Sequence, residues 1–183
     1  MAGLTNFYHE TIEPSPFADE AAVTLATTYK ALMPVARYNL GTQFFNRPGR
    51  KLWIRMFGKI TTVLTPGNGQ MGILFGTGAD ANGVNVVQSA AFALTASQTN
   101  MSWWADLYIT CRSPGPTGTL FAHGYFRVNE AVQSATQQIP ASAAVPSGAV
   151  DLTGTLVPSV QFLRSGSTAE TITVQDYHIS PMN

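Results

Sequence analysis

An all-β sandwich is the fold this sequence predicts, and three observations predict it. From Thr99 to Val128, residues alternate with a period of two on both sides of one proline- and glycine-rich turn, which is a sheet pattern and not a helical one. Turn signals then recur between further short apolar runs along the chain, the spacing of strands in a sandwich or barrel. Long strands turned at both ends fit a double-sheet jelly roll. The expectation is an antiparallel, jelly-roll-like β-sandwich of about eight strands over residues 21–183, preceded by an extended arm over residues 1–20.

The central hairpin carries the clearest pattern. On its first strand Trp103, Ala105, Leu107, Ile109 and Cys111 alternate with Ser102, Trp104, Asp106, Tyr108 and Thr110. On its second, Leu120, Ala122, Gly124 and Phe126 alternate with Phe121, His123, Tyr125 and Arg127. Ser113 to Gly118 between them is a turn, because prolines and glycines break both regular structures.

The arm mixes Phe7, Tyr8, Ile12 and Phe17 with Pro14 and Pro16. Closely spaced prolines favour extended chain, and apolar side chains on an irregular terminus point to docking against another subunit. Residues 19–33 admit two readings. An Asp-Glu start before alanines opens helices, yet Val23, Leu25, Thr27 and Tyr29 alternate, and the strand reading is preferred.

Beyond Pro48-Gly49 comes KLWIRMFGKITTVLT, with Leu52, Ile54 and Met56 on one face and Trp53 and Phe57 on the other. Gly58 inside it marks a bulge or bend. Pro66 to Gly69 reads as a hairpin turn into QMGILFGTG, and 78–83 as a loop before VNVVQSAAFALTA. Residues 133–148 are polar and small and read as a long connection. Pro158 within DLTGTLVPSVQFLRS implies an edge or a bulge. In the last strand Ile172, Val174 and Asp176 are placed on one face, and Thr173, Gln175, Tyr177 and Ile179 on the other.

Composition narrows the function. The 183 residues are 45% hydrophobic but only 11% charged, and ten basic residues balance ten acidic ones. Average soluble proteins carry roughly 25% charged residues, so a subunit packed against others is one reading and a neutral free β-protein the other. Zero net charge argues against nucleic acid or an anionic membrane as the main partner. No run approaches the roughly 18 apolar residues of a membrane span. The start MAGLTNFYHETIEP lacks a basic segment followed by an apolar run, so no signal peptide is expected and synthesis in a cytoplasm is.

No catalytic, cofactor-binding or metal site is expected. Cys111 shares a face with Leu107 and Ile109 and reads as a small buried hydrophobe. His9, His123 and His178 lack a second ligand at metal spacing. His178 shares a face with Asp176, but no nucleophile turn accompanies them. Asp19-Glu20 is the one adjacent acidic pair and lies at the arm. The glycines of GTGADANG (76–83) lack the Lys-Ser or Lys-Thr of a phosphate loop and the carboxylates of a calcium loop. Aromatic residues remain. Trp103 and Trp104 face opposite ways, and Trp104 and Tyr108 turn away from the predicted core. They form a candidate exposed platform, to be covered by a neighbouring subunit or by a carbohydrate.

Four stretches carry a resemblance: GRKLWIRMFGKITT, SWWADLYITCRSPGPTGTLFAHGYFRV, DLTGTLVPSVQFL and AETITVQDYHISPMN. They resemble jelly-roll structural proteins of tailed bacteriophages, in which a G-[RK]-x-L-x-[IV] strand opens the domain. A tryptophan strand there ends in [TC]-R-S-x-G-x-x-G-T, and the chain closes on T-I-T-V-x-x-[FYH]. Here these are Gly49 to Ile54, Trp104 to Thr119 and Thr171 to His178. The resemblance spans residues 41–183 and implies a homotrimeric component of the virion. It further implies a capsid decoration or cementing protein that contacts copies of itself and the major capsid protein. The alternative is a tail-tip or fibre module binding a host surface glycan. No enzymatic activity is implied.

Overall fold

Alternation on the central hairpin sorts its side chains as expected. Trp103, Ala105, Leu107, Ile109 and Cys111 are buried with Leu120, Ala122 and Phe126, while Trp104, Tyr108, His123, Tyr125 and Arg127 face outward. The computed structural model describes residues 18–32, 39–76, 83–129, 134–143, 145–165 and 170–182. Among them are eleven strands and no helix. The strands are β1 (Val23–Thr24), β2 (Lys30–Ala31), β3 (Lys51–Thr61), β4 (Asn68–Gly76), β5 (Gly83–Gln88) and β6 (Phe92–Ala93). There follow β7 (Met101–Ser113), β8 (Thr119–Asn129), β9 (Ser134–Ile139), β10 (Val157–Arg164) and β11 (Thr171–Met182).

Two antiparallel sheets form the sandwich. One has six strands in the order β1-β11-β3-β7-β8-β9. The other runs β2-β10-β4-β5, with β6 also paired to β4. β3 pairs with β11 in the first sheet, and β4 with β10 in the second. The crossings from β3 to β4 and from β10 to β11 therefore lie side by side, which gives the wrapping its jelly-roll character.

The core lies between the sheets. Leu52, Ile54, Met56 and Ile60 of β3 face Met71, Ile73 and Phe75 of β4, with Val160 and Phe162 of β10. Phe126 is its hub, with ring centroids 5.5 Å from Phe162, 5.6 Å from Phe92 and 5.7 Å from Trp103. Each such side chain contributes about 1.5–3 kcal/mol on burial. Trp103 lies over Gly58, where an added Cβ would sit 2.9 Å from the indole and collide with the Thr173 carbonyl oxygen. Cys111 is buried, its sulfur 3.6 Å from the Phe45 carbonyl, and burial pushes its thiol above the ordinary value.

Several expectations are corrected. Pro66 to Gly69 is not a hairpin turn: Pro66 and Gly67 lead across to the other sheet, where Asn68 and Gly69 already open β4, because turn residues say where a chain reverses and not which strand it meets. Residues 134–139 form edge strand β9 on β8 instead of a bare connection. An edge strand pairs on one side only and needs little apolar surface, so its polar sequence concealed it. Residues 19–33 hold two short strands, β1 on one sheet and β2 on the other, with Leu25 and Leu32 buried. Pro158 lies inside the sheet against Phe75 of β4, but β2 reaches only Gln161 and Phe162 on the other side, so no partner there needs its missing N–H.

The last strand differs most. A bulge between Val174 and Asp176 lies opposite Gly58 and Phe57. The extra residue, Gln175, reverses the alternation. Ile172 and Val174 therefore share the core with Tyr177 and Ile179, and Asp176 points outward with His178.

Candidate functional site

Register alone assembles the most distinctive surface. Trp53, Arg55 and Phe57 of β3 stand opposite Tyr108, Asp106 and Trp104 of β7. Those three stand opposite His123, Tyr125 and Arg127 of β8. All project from the outer side of the six-stranded sheet, where directly opposed side chains come close enough to pack.

Two aromatic rows result. In one, Trp53 lies 6.4 Å from Tyr108 at 10° between planes, and Tyr108 lies 5.3 Å from His123 at 15°. His178 extends that row at 5.2 Å from Trp53, and Phe121 at 5.9 Å from His123. In the other, Trp104 lies 6.3 Å from Phe57 and 5.9 Å from Tyr125.

A polar knot joins the rows. The Asp106 carboxylate accepts from Trp53 Nε1 at 2.6 Å and from Arg55 at 2.7 Å and 3.2 Å. Asp106 is 4% exposed although it lies on the outer face, because its neighbours close over it. The bonds that Arg55 donates to Asp106, the charge-assisted kind, raise the Arg55 pKa above its ordinary value. Burial, then the charge of Asp106, pushes the Tyr108 hydroxyl up.

Three arginines of this face rest on its rings. Arg55 lies 4.9 Å from the Trp53 centroid, Arg112 4.7 Å from Phe121 and Arg127 5.7 Å from Trp104. Such cation–π seating fixes a guanidinium and leaves its N–H edge pointing elsewhere. With Lys51 and Lys59, five of the chain's ten basic residues stand here, against the carboxylates of Asp19, Asp106 and Asp176, and Asp106 pairs with Arg55 and Asp19 with Lys59. A cavity of about 330 Å³ opens where β7 begins and β8 ends, lined by Phe57, Ser102, Trp103, Trp104, Arg127 and Asn129.

The predicted platform residues Trp104 and Tyr108 thus lie on one face, in separate rows. Phe7, Tyr8, Ile12 and Phe17 fall outside the described residues, as do His9 and most of the 76–83 loop. The end of the predicted arm is described and is pinned to β11 and β3. Asp19 accepts from Lys59 Nζ at 2.6 Å and from Gln175 Nε2 at 3.2 Å, and the Glu20 N–H donates to the Val174 carbonyl. Among the described residues no group of three or more His, Cys, Asp or Glu could hold a metal ion. Nor do they hold any helix long and apolar enough to cross a membrane.

Sequence reasoning missed the Arg55–Asp106–Trp53 knot and the arginine seats. Alternation placed each residue on a face, but only strand register brings Arg55 beside Asp106.

No protein-family model and no curated protein matches this chain. Among solved structures it is similar to botulinum neurotoxin type C, described in its interaction with two ganglioside molecules, at 10% identity and TM-score 0.30. That match covers 88% of this chain and 43% of the toxin chain, so this chain spans less than half the toxin's length. It is also similar to the alginate lyase of Alteromonas sp. 272, at 7% identity and TM-score 0.31, over 96% of this chain and 94% of the lyase. A third similarity is to the CBM2 module of the evolved Dit of Lactobacillus casei BL23 phage J-1, at 8% identity and TM-score 0.22, over 75% and 67%. Scores this low do not bear on what this chain does.

Proposed function

We propose that this chain is a non-enzymatic structural protein of a bacteriophage virion, a decoration module that attaches to the head through its N-terminal arm. The observation that carries the reading is the pinned base of that arm. Asp19 and Glu20 are fastened to Lys59, Gln175 and Val174 at the β1–β11 edge. On this reading the segment anchored there is the one whose Phe7, Tyr8, Ile12 and Phe17 dock on a neighbouring subunit. Burying two of those side chains contributes about 3–6 kcal/mol, taking about 1.5–3 kcal/mol each. That offsets part of the ordering entropy, which Pro14 and Pro16 already lower. The partners are the major capsid protein and further copies of this chain, arranged as a trimer on the virion.

The test is co-sedimentation with particles that lack the protein. Deleting residues 1–20 leaves the sandwich folded by circular dichroism and abolishes particle binding. Equal binding of truncated and full-length chains overturns the reading.

A tail-tip or fibre module is the second reading. The observation favouring it is the aromatic outer face, a surface suited to a host glycan.

A further inference from the structure

We infer that β9 is a self-association edge, at which two copies of this chain pair strand to strand and join their six-stranded sheets into one. This contact is separate from attachment to a particle. A twofold contact cannot build a trimer, so on a virion it would join one trimer to the next.

The two sides of the sandwich end differently. On one side the sheets close on β1 and β2, of two residues each. Charge stands there as well, Lys30 within β2 and Asp19 just ahead of β1. Short strands and charged side chains are devices that keep a sheet edge from pairing with another chain. On the other side the sheets end on β9 and β5, of six residues each, and neither strand carries a charged residue. The two lie together there. Just past β9, the Ala141 N–H donates to the Gln88 carbonyl at the end of β5.

β9 is the more open of these two edges. Its register on β8 runs unbroken from the Asn129–Ser134 pair to the Gly124–Ile139 pair. The register of β5 on β4 shifts between Ile73 and Leu74, and a bulge of that kind turns an edge away from a partner. Among the described residues no strand pairs with β9 beyond β8. In an antiparallel strand alternate residues turn both N–H and C=O away from the neighbour. Those groups of β9 face outward as an unfilled ladder, with the exposed side chains of Thr136 and Gln138 beside them.

A second copy is the occupant these features fit. Antiparallel strands about a twofold axis present one sequence to itself, SATQQI against SATQQI. Like charges directly opposed destabilise such a pair, and this sequence has none to oppose, while Ser and Thr hydrogen-bond across strands. The contact is isologous, so each edge is used once and the assembly closes instead of growing. An extended peptide of another protein is the competing occupant. Strand-addition sites draw their specificity from pockets for alternate side chains. Neither the cavity at Trp104 nor the one lined by Phe45 and Leu152 reaches β9.

The experiment is sedimentation equilibrium of the full-length protein from micromolar to millimolar concentration, with amide hydrogen exchange measured at both ends of that range. The mass is expected to double as concentration rises, and the amides of residues 134–139 to exchange more slowly in the doubled form. The double variant Thr136→Glu, Gln138→Glu gathers carboxylates of both copies on the joined edge and should weaken the pairing roughly tenfold or more. Thr24→Glu, on the opposite edge of the same sheet, leaves it unchanged. If circular dichroism shows the double variant unfolded, hydrogen exchange of the parent still decides. A mass that does not double at any concentration overturns the inference. So does a doubling that the folded double variant keeps undiminished, one that Thr24→Glu abolishes, or one that leaves the β9 amides unprotected. Particle attachment is read separately by the arm deletion, so failure of one leaves the other standing.

Discussion

Replacing Asp106 with Ala should destabilise the sandwich although the residue lies on an outward face. Its carboxylate is 4% exposed and accepts three hydrogen bonds. The bond from Trp53 Nε1, at 2.6 Å, is charge-assisted, and bonds of that kind contribute about 1.5–3 kcal/mol. The Arg55 contact must be discounted, because that side chain is 40% exposed and water can replace the carboxylate. Exposed pairs contribute about 0.2–1 kcal/mol. Together the substitution should cost about 2–4 kcal/mol, lowering Tm by roughly 5–15 °C for a domain of this size. Urea unfolding measures the loss. A double-mutant cycle with Arg55→Ala should return a coupling within that exposed-pair range, about 0.2–1 kcal/mol. Asp106→Asn should lose less, since one carbonyl oxygen remains for Trp53. A loss under about 0.5 kcal/mol, as at an ordinary surface position, would refute the claim that this carboxylate organises the face.

Two further outcomes follow from charges elsewhere. Arg164 and Glu170 are 4% and 0% exposed and paired at 2.8 Å, and Arg164 also donates to the Leu25 carbonyl. Glu170→Gln should cost about 3–5 kcal/mol in urea unfolding, because it strands a buried guanidinium, and a loss below 1 kcal/mol would contradict that burial. Lys59 and then Gln175 hold the Asp19 carboxyl below its ordinary value of 3.8. A lowered folded-state value means its contribution is complete above that ordinary value and fades as pH falls through the lowered one. An NMR titration should show the Asp19 midpoint rising in Lys59→Ala, and an unmoved midpoint would deny the tether.

Most of the sandwich is legible in the sequence because a period of two is dictated by strand geometry. Alternation puts Leu52, Ile54 and Met56 on one face of β3, and Trp103, Ala105, Leu107, Ile109 and Cys111 on one face of β7, and each is buried. What escaped was set by events between strands. Gln175 adds one residue to β11, and nothing local distinguishes TITVQDYHI from an unbroken alternation. β9 escaped for the opposite reason, since an edge strand has little apolar pattern to show. Of the candidate site, Trp104 and Tyr108 were legible as outward-facing. Their neighbours Trp53, Asp106 and Arg55 were not legible as a cluster, because Arg55 and Asp106 are 51 residues apart in sequence.

Zero net charge and a cationic face are compatible once distance is considered. The total governs the field well outside the molecule, and there ten positive and ten negative charges cancel. At physiological ionic strength the Debye length is about 8 Å, so a ligand seated on the sheet meets mainly the charges beside it. On the outer face Asp106 pairs with Arg55 and Asp19 with Lys59, and Lys51, Arg112 and Arg127 stand there with Asp176. Such a surface gives little long-range steering of a charged partner. The register of β3, β7 and β8 fixes the spacing of these rings and charges, so the local pattern on this face is set by the sheet and not by the net charge.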